Sequence, residues 1–320
     1  MLEINKRNSR IWSLLGMRRV FGFMLNEIAS EDNNFVFVTS DVARYFGVEK
    51  FVSCFPDRYV DVGIAEQNMI TVSAGLAKEG KNVFCATYST FCTARALDQL
   101  RVSLAYMNLP VKVFGVGAGL AEGDLSTTHM GLEDVAVTRV LPNMTVIEPS
   151  DCAELIKTIY ALKDYPHPAY VRLTGKTMLP MIHTEEFDFN IGMASEIVAG
   201  GEEIVFISSG VITGEVLKAC KNLIVKGYSP SLYSMHTIKP LDYKLLDSLC
   251  HVKNIFVVQE HMKAGGLGSA ILEYYADKSS PFIRIIGLND SYPRANDYSE
   301  LIKETRLDAS SIEEYVLSII

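Results

Sequence analysis

Hydrophobic and polar positions in the first half of the chain switch between two periods. Over residues 11–30, Ile11, Leu14, Leu15, Val20, Phe21, Met24, Leu25 and Ile28 recur near helical spacing, and Asn8 or Ser9 can cap the start. The short apolar run 35–38 reads as a strand ending in Thr39-Ser40-Asp41. Helical patterns then cover 64–78, 91–105 and 153–163, interleaved with apolar strand runs at 81–86, 111–116, 146–148 and 169–173. Strands and helices alternating at these lengths predict a mostly parallel sheet covered on both faces.

The pattern pauses at 174–192, where Pro, Gly and charge mix as in a linker. It then resumes, with strands predicted at 204–208, 231–234, 255–259 and 282–286 and helices at 213–226, 243–248, 268–276 and 308–319. The expected fold class is therefore α/β, with two doubly wound domains spanning 1–185 and 190–320. No internal repeat and no low-complexity tract interrupts them. Open parallel sheets take ligands beyond the carboxyl ends of their strands, so candidate chemistry is sought there.

Composition narrows the class. A chain of 320 residues that is 48% hydrophobic is too apolar for a disordered protein, and two domains of this size bury cores without disulfides. No apolar run reaches the roughly 18 residues a membrane helix needs. A net charge of −8 argues against a general nucleic-acid binder; it leaves phosphorylated small molecules open, because a site is local. The polar start, MLEINKRNSR, lacks the apolar core of a signal peptide, which predicts a cytoplasmic chain. The six cysteines are scattered without a CxxC pair and read as buried small hydrophobes in a reducing compartment. The six histidines show no HxxxH or HExxH spacing, so no metal site is expected in this chain.

Four stretches carry candidate chemistry. Glu66 opens an otherwise small and apolar helix, where partial desolvation is expected to raise its pKa and keep a proton available; it could equally serve the helix dipole. Tyr88 and Phe91 sit three apart where a strand passes into a helix, able to clamp a flat ring or to join the core. Gly115, Gly117 and Gly119 open a loop that runs to His129 and does not fit the dinucleotide fingerprint. In the second half, Gln259-Glu260-His261 precedes Gly265, Gly266 and Gly268, which reads as a close-packing solution.

Taken in order, GIAEQN (63–68), YSTF (88–91), the glycine loop with THMGLED (128–134), LPNMTVIEPSD (141–151) and PAYVRLTGK (168–176) resemble the transketolase family, which includes 1-deoxyxylulose-5-phosphate synthase. The stretches 236–242, 259–268 and 287–290 are similar to the C-terminal domain of that family. The resemblance covers about residues 10–320. It implies a thiamine-diphosphate pyrimidine-binding domain followed by a transketolase C-terminal domain. The GDG motif of the diphosphate-binding domain is missing, so the chain resembles the C-terminal subunit of a split transketolase. A partner N-terminal subunit would then supply the diphosphate and Mg²⁺ site, in a dimer of heterodimers acting on sugars or sugar phosphates.

The same resemblance assigns roles. Glu66 would bond the cofactor's pyrimidine, with Ile64, Tyr88 and Phe91 around its ring, and His129 would bond a substrate oxygen. Asp124 would meet a substrate hydroxyl. Because this loop is one residue longer than the family's D-G-x-T-H, Ser126 is its alternative. Arg172 or Lys176 would hold a substrate phosphate, while Gly117 stands where the synthase branch has an arginine. Ser40 aligns with the family's loop near the acceptor channel, and Ala94 replaces a frequent aromatic. Two other readings are weighed against this one. One is the beta subunit of the decarboxylating component of a 2-oxo acid dehydrogenase, to which residues 236–242 are also similar. The other is a non-catalytic binding protein on a doubly wound fold.

Overall fold

The computed structural model describes residues 2–278 and 281–320. The first seven strands in chain order are β1 (Phe35–Thr39), β2 (Tyr59–Asp61), β3 (Asn82–Tyr88), β4 (Lys112–Val116), β5 (Thr145–Ile147), β6 (Ala169–Arg172) and β7 (Ser195–Val198). Then come β8 (Val205–Ser208), β9 (Ser231–Ser234), β10 (Thr237–Lys239), β11 (Asn254–Met262) and β12 (Phe282–Leu288). They form two sheets, ordered β10-β5-β6-β4-β3-β1-β2 and β12-β11-β8-β9-β7. All pairings are parallel except β10 on β5 and β7 on β9.

The first sheet shows why its strands read as near-continuous apolar runs: every residue of β1 and β4 is buried, as both-face coverage demands. Alternate residues serve opposite layers. Phe35, Phe37, Phe84 and Phe114 face the long helix Lys6–Glu31, where Phe21 lies 4.5 Å from the Phe114 ring. Val36, Val38, Val83 and Cys85 face the helix Glu66–Lys78 through Met69 and Ile70. The second sheet packs Phe206, Phe256 and Val258 against helices Thr213–Val225 and Ala309–Leu317 through Val216, Leu223, Ile312 and Val316.

Three features depart from the sequence pattern. The stretch 91–105 is not one α-helix. It breaks into π-type turns at Phe91–Arg95 and Leu100–Tyr106 around a short α-turn, Leu97–Gln99. β10 comes from the second half of the chain yet closes the first sheet, so the two halves share a layer. Cys54 and Cys250 are exposed, whereas the other four cysteines are buried and all six are free thiols.

The segment 174–192 has no regular element but is tied down along its length. Gly16, at φ +79°, interrupts the first helix, and a Cβ there would meet the Lys176 carbonyl at 2.6 Å. The Leu179 N–H donates to the Ser13 carbonyl at 3.1 Å, and Ser9 Oγ donates to the His183 carbonyl at 3.0 Å. Asp151 Oδ2 accepts the N–H groups of Ile182 and His183 at 2.8 and 2.7 Å. The linker is a strap held along the first domain. Among the described residues, no helix is long and apolar enough to cross a membrane.

Candidate active site

In the first sheet the chain runs outward from β1 to β2 on one side and to β3, β4 and β6 on the other. The switch point of this open sheet, where ligands settle, is therefore at the carboxyl ends of β1 and β3. Tyr88 ends β3 there and Phe91 follows, their rings edge-to-face at 5.6 Å. The His129 imidazole stands edge-on to both, 5.3 Å from Tyr88 and 5.1 Å from Phe91. A pair three residues apart and a histidine about forty residues on thus form one half-buried cluster.

Glu66 is the first residue of its helix and only 3% exposed. A carboxylate at that terminus is favoured by the unpaired N–H groups of the first turn. Its Oε2 accepts Arg95 Nη1 at 2.9 Å, and the Arg95 guanidinium lies 4.0 Å above the Phe91 ring. Arg95 thus joins Glu66 to the aromatic cluster. The sequence pattern does not single it out, although it falls one turn after Phe91. Ile64, two residues before Glu66, is 75% exposed on the same loop.

A second layer supports the cluster. Tyr45 packs 4.8 Å from Tyr88, under Arg18 at 4.0 Å, and its hydroxyl donates to the Glu122 carboxylate. Burial, then Glu122, pushes the Tyr45 phenol above its ordinary value. Glu122 in turn occupies the space beside Gly117, at 2.7 Å from where a Cβ would stand. A side chain at the position where the synthase branch has an arginine would displace that carboxylate. Neither Tyr45 nor Glu122 has a sequence signal, since both are long-range contacts.

The loop that presents His129 hangs from the end of β4. Gly117 and Gly119 both take positive φ, at +71° and +67°. Ala118 bridges to Gly131, and the Gly119 N–H donates to the Gly131 carbonyl at 2.8 Å. Between these anchors, Asp124 is exposed and Ser126 half-buried, with the His129 N–H donating to the Ser126 carbonyl at 3.1 Å. His129 Nδ1 is 3.0 Å from Thr128 Oγ1.

Three further predicted site residues lie outside the aromatic cluster. Arg172 is 3% exposed and has its donors engaged. Nε meets both Asp134 carboxylate oxygens at 3.1 and 2.9 Å, Nη1 meets Glu148, and Nη2 meets the carbonyls of Gly131 and Glu260 at 2.8 and 2.9 Å. Burial opposes that charge, but Asp134 and Glu148 outweigh it and raise the Arg172 pKa. Buried against two acids and two carbonyls, the guanidinium is not presented to a substrate phosphate. Ser40 Oγ is buried and donates to Thr87 Oγ1 at 2.8 Å, inside the sheet edge. Lys176 is half-buried, with Nζ 5.5 Å from the Tyr298 ring. It lines a cavity of about 530 Å³ between the strap and the second domain, together with Lys218 and Lys303.

Residues 14–179 match the transketolase pyrimidine-binding domain and residues 193–312 the transketolase C-terminal domain. The chain is 33% identical to an apulose-4-phosphate transketolase subunit of Phocaeicola vulgatus, over 96% of this chain and 98% of that one. It is 32% identical to a 6-deoxy-6-sulfo-D-fructose transketolase subunit of a Clostridium species, over 86% and 85%. A 1-deoxy-D-xylulose-5-phosphate synthase of Caldanaerobacter subterraneus is 33% identical over 93% of this chain but 48% of its own length. Among solved structures, a split-gene transketolase described as an inactive β4 tetramer superposes with a TM-score of 0.85 at 29% identity, covering 95% of this chain and 97% of that one. Campylobacter jejuni transketolase shares the fold, with a TM-score of 0.80 at 18% identity over 95% and 46%.

Proposed function

The chain belongs to the transketolase family, whose members depend on thiamine diphosphate, and on that premise we propose that it is the C-terminal subunit of a two-chain transketolase. In this reading it moves a two-carbon ketol unit from a ketose to an aldose, together with an N-terminal subunit, in a dimer of heterodimers. The observation that carries the reading is Glu66, a buried carboxyl set at the rim of the Tyr88, Phe91 and His129 rings. The near full-length relatives are transketolase subunits, which favours ketol transfer over the 2-oxo acid dehydrogenase reading.

The residues present fit an aminopyrimidine. Such a ring needs apolar walls and a carboxyl for its ring nitrogen, which Tyr88, Phe91, Ile64 and Glu66 offer. When bound, thiamine diphosphate supplies the nucleophilic carbon that ketol transfer requires. Glu66 would bond the ring nitrogen through its carboxyl, at the Oε2 that the half-exposed Arg95 now occupies. Tyr88 and Phe91 would flank the ring on one side and keep water from it. His129 offers its imidazole to the substrate oxygen on which charge develops, and Asp124 or Ser126 meets a hydroxyl.

Among the described residues, no group of three or more His, Cys, Asp or Glu is placed to hold a metal. The likeness to transketolase subunits is what supports our proposal that a partner holds the diphosphate and Mg²⁺. With Arg172 and Ser40 engaged elsewhere, Lys176 remains the chain's candidate cation for a substrate anion. Two relatives are named for ketoses that bear a phosphate or a sulfonate, which supports an anionic ketose here.

The test is ketol transfer by the chain reconstituted with a GDG-bearing N-terminal subunit, thiamine diphosphate and Mg²⁺, against a panel of ketoses and aldoses. Glu66→Ala is expected to lower turnover by about 10²- to 10⁴-fold while unfolding as the wild type does. Near-wild-type turnover in that variant would sink the reading.

A further inference from the structure

Glu260 lies two residues before the end of β11 in the second domain, in a region that contributes nothing to the aromatic cluster, yet it reaches the loop that presents His129. It is 3% exposed. Its Oε1 accepts the Leu120 N–H at 2.6 Å, and its Oε2 accepts the Tyr298 hydroxyl at 2.8 Å. The neighbouring Gly119 has positive φ, and the space its absent Cβ leaves is filled by the Glu260 carboxylate. A few residues on, Gly123 is pressed against the Asn296 carbonyl and Leu301, and the Asn296 N–H donates back to the Gly123 carbonyl at 3.3 Å.

The far end of the loop is held from the same side. Arg172 Nη2 donates both to the Gly131 carbonyl and to the Glu260 carbonyl. Between the two anchors the loop has little order of its own. It contains one short 3₁₀ turn, Gly123–Leu125, and Ser126 in a left-handed conformation at φ +64°. Its shape is set from outside.

A buried carboxylate is a costly way to close an interface. The guanidinium of Arg172 is bonded to the Glu260 carbonyl and to other carboxylates, and burial pushes the Glu260 pKa up to about 7. A leucine would fill the same volume without that cost. What the carboxylate adds is a pair of acceptor oxygens, one for a loop amide and one for Tyr298.

We propose that Glu260 is a positioning residue of the active centre: braced by Tyr298, it holds the Leu120 amide and so aims the 119–131 loop, and His129 with it, at the substrate. The role of His129 rests on the ketol-transfer reading; the hold on the loop does not. The test therefore has two arms. Hydrogen–deuterium exchange of a peptide covering 118–132 is read in the purified chain, and kcat and KM are read in the reconstituted enzyme.

Glu260→Gln keeps an acceptor for Leu120 and a donor for Tyr298, so exchange and kcat should stay within about twofold of wild type. Glu260→Leu should speed loop exchange about tenfold or more. It should also lower kcat by about ten- to a hundredfold, the cost of misplacing a group by an ångström, with KM within about threefold. Tyr298→Phe, a milder change that keeps the packing, should move both readouts in the same direction by about three- to tenfold. Wild-type loop exchange in Glu260→Leu and Tyr298→Phe overturns the proposal. So does a Glu260→Gln enzyme as impaired as Glu260→Leu, which would make charge rather than positioning the function. Loop exchange is decided in the chain alone, so it stands or falls whether or not ketol transfer is found.

Discussion

The carboxyl edges of the two sheets make a controlled comparison. Both sheets are open and mainly parallel, and both have a switch point where such sheets take ligands. At the first, between β1 and β3, the groups are half-buried rings and a carboxyl paired with a half-exposed arginine. At the second, between β8 and β11, the crevice is filled by the first domain. Glu148 accepts Ser209 Oγ at 2.6 Å and, through its backbone carbonyl, the Gly210 N–H at 3.1 Å. Glu260 accepts Leu120, and Arg172 binds the Glu260 carbonyl. The same architecture thus leaves half-buried rings at one edge, the proposed ligand site, and makes an adhesive interface at the other, where the polar groups satisfy one another. The fold alone does not distinguish the two edges; the partners of each side chain do.

Removing the centre of the adhesive edge should have the largest effect on stability. Arg172→Leu leaves Asp134 and Glu148 buried without their cation, an expected loss of about 3–5 kcal/mol in urea unfolding. A loss below about 1 kcal/mol would mean the network is not what joins the domains. At the open edge, His129→Ala should leave stability unchanged and lower kcat by about 10²- to 10³-fold, with cofactor affinity retained. Equal loss of turnover and cofactor affinity would move His129 from the substrate to the cofactor.

The adhesive edge should also respond to pH. Burial raises Glu260 from its ordinary 4.5 to about 7. Between those values the folded protein keeps a proton that the unfolded chain has lost. The contribution is therefore complete below about pH 4.5 and disappears as pH rises to about 7. Glu260→Gln cannot lose it. Its stability relative to wild type should grow by about 1–3 kcal/mol between pH 5 and pH 8 in urea melts. A constant difference across that range would contradict the assignment. The smallest effect is expected outside both edges. Arg139 and Glu273 link the two halves by a bidentate pair at 3.1 and 2.6 Å, but Glu273 is largely exposed, so Glu273→Gln should cost less than about 1 kcal/mol.

What could be read from the sequence follows the same division. Glu66, Tyr88, Phe91 and His129 were legible because each sits where an apolar period stops and a loop or helix begins, and the structure brings them together. The alternation of strands and helices was legible for the same reason. The surroundings of Arg172 were not legible, because an arginine ending a strand looks alike in sequence whether it faces solvent or two buried acids. Asp134 and Glu148 lie 38 and 24 residues away from it. Gln259 fits the packing reading, since its amide oxygen accepts the Gly268 N–H at 2.8 Å. Glu260 beside it does something no local pattern encodes. β10 escaped notice because its three residues become a strand only by pairing with β5 from the first half. The run 91–105 kept its helical period but not its register, because π-type turns shift it.

On the proposed function, the open edge of the first sheet is half of an active site that a second chain completes. This is tested by titrating the N-terminal subunit into this chain at fixed thiamine diphosphate and Mg²⁺ and following ketol transfer. No turnover is expected from either chain alone, and the rate should rise with added subunit to saturate near one-to-one. Ketol transfer by this chain purified alone would contradict the proposal.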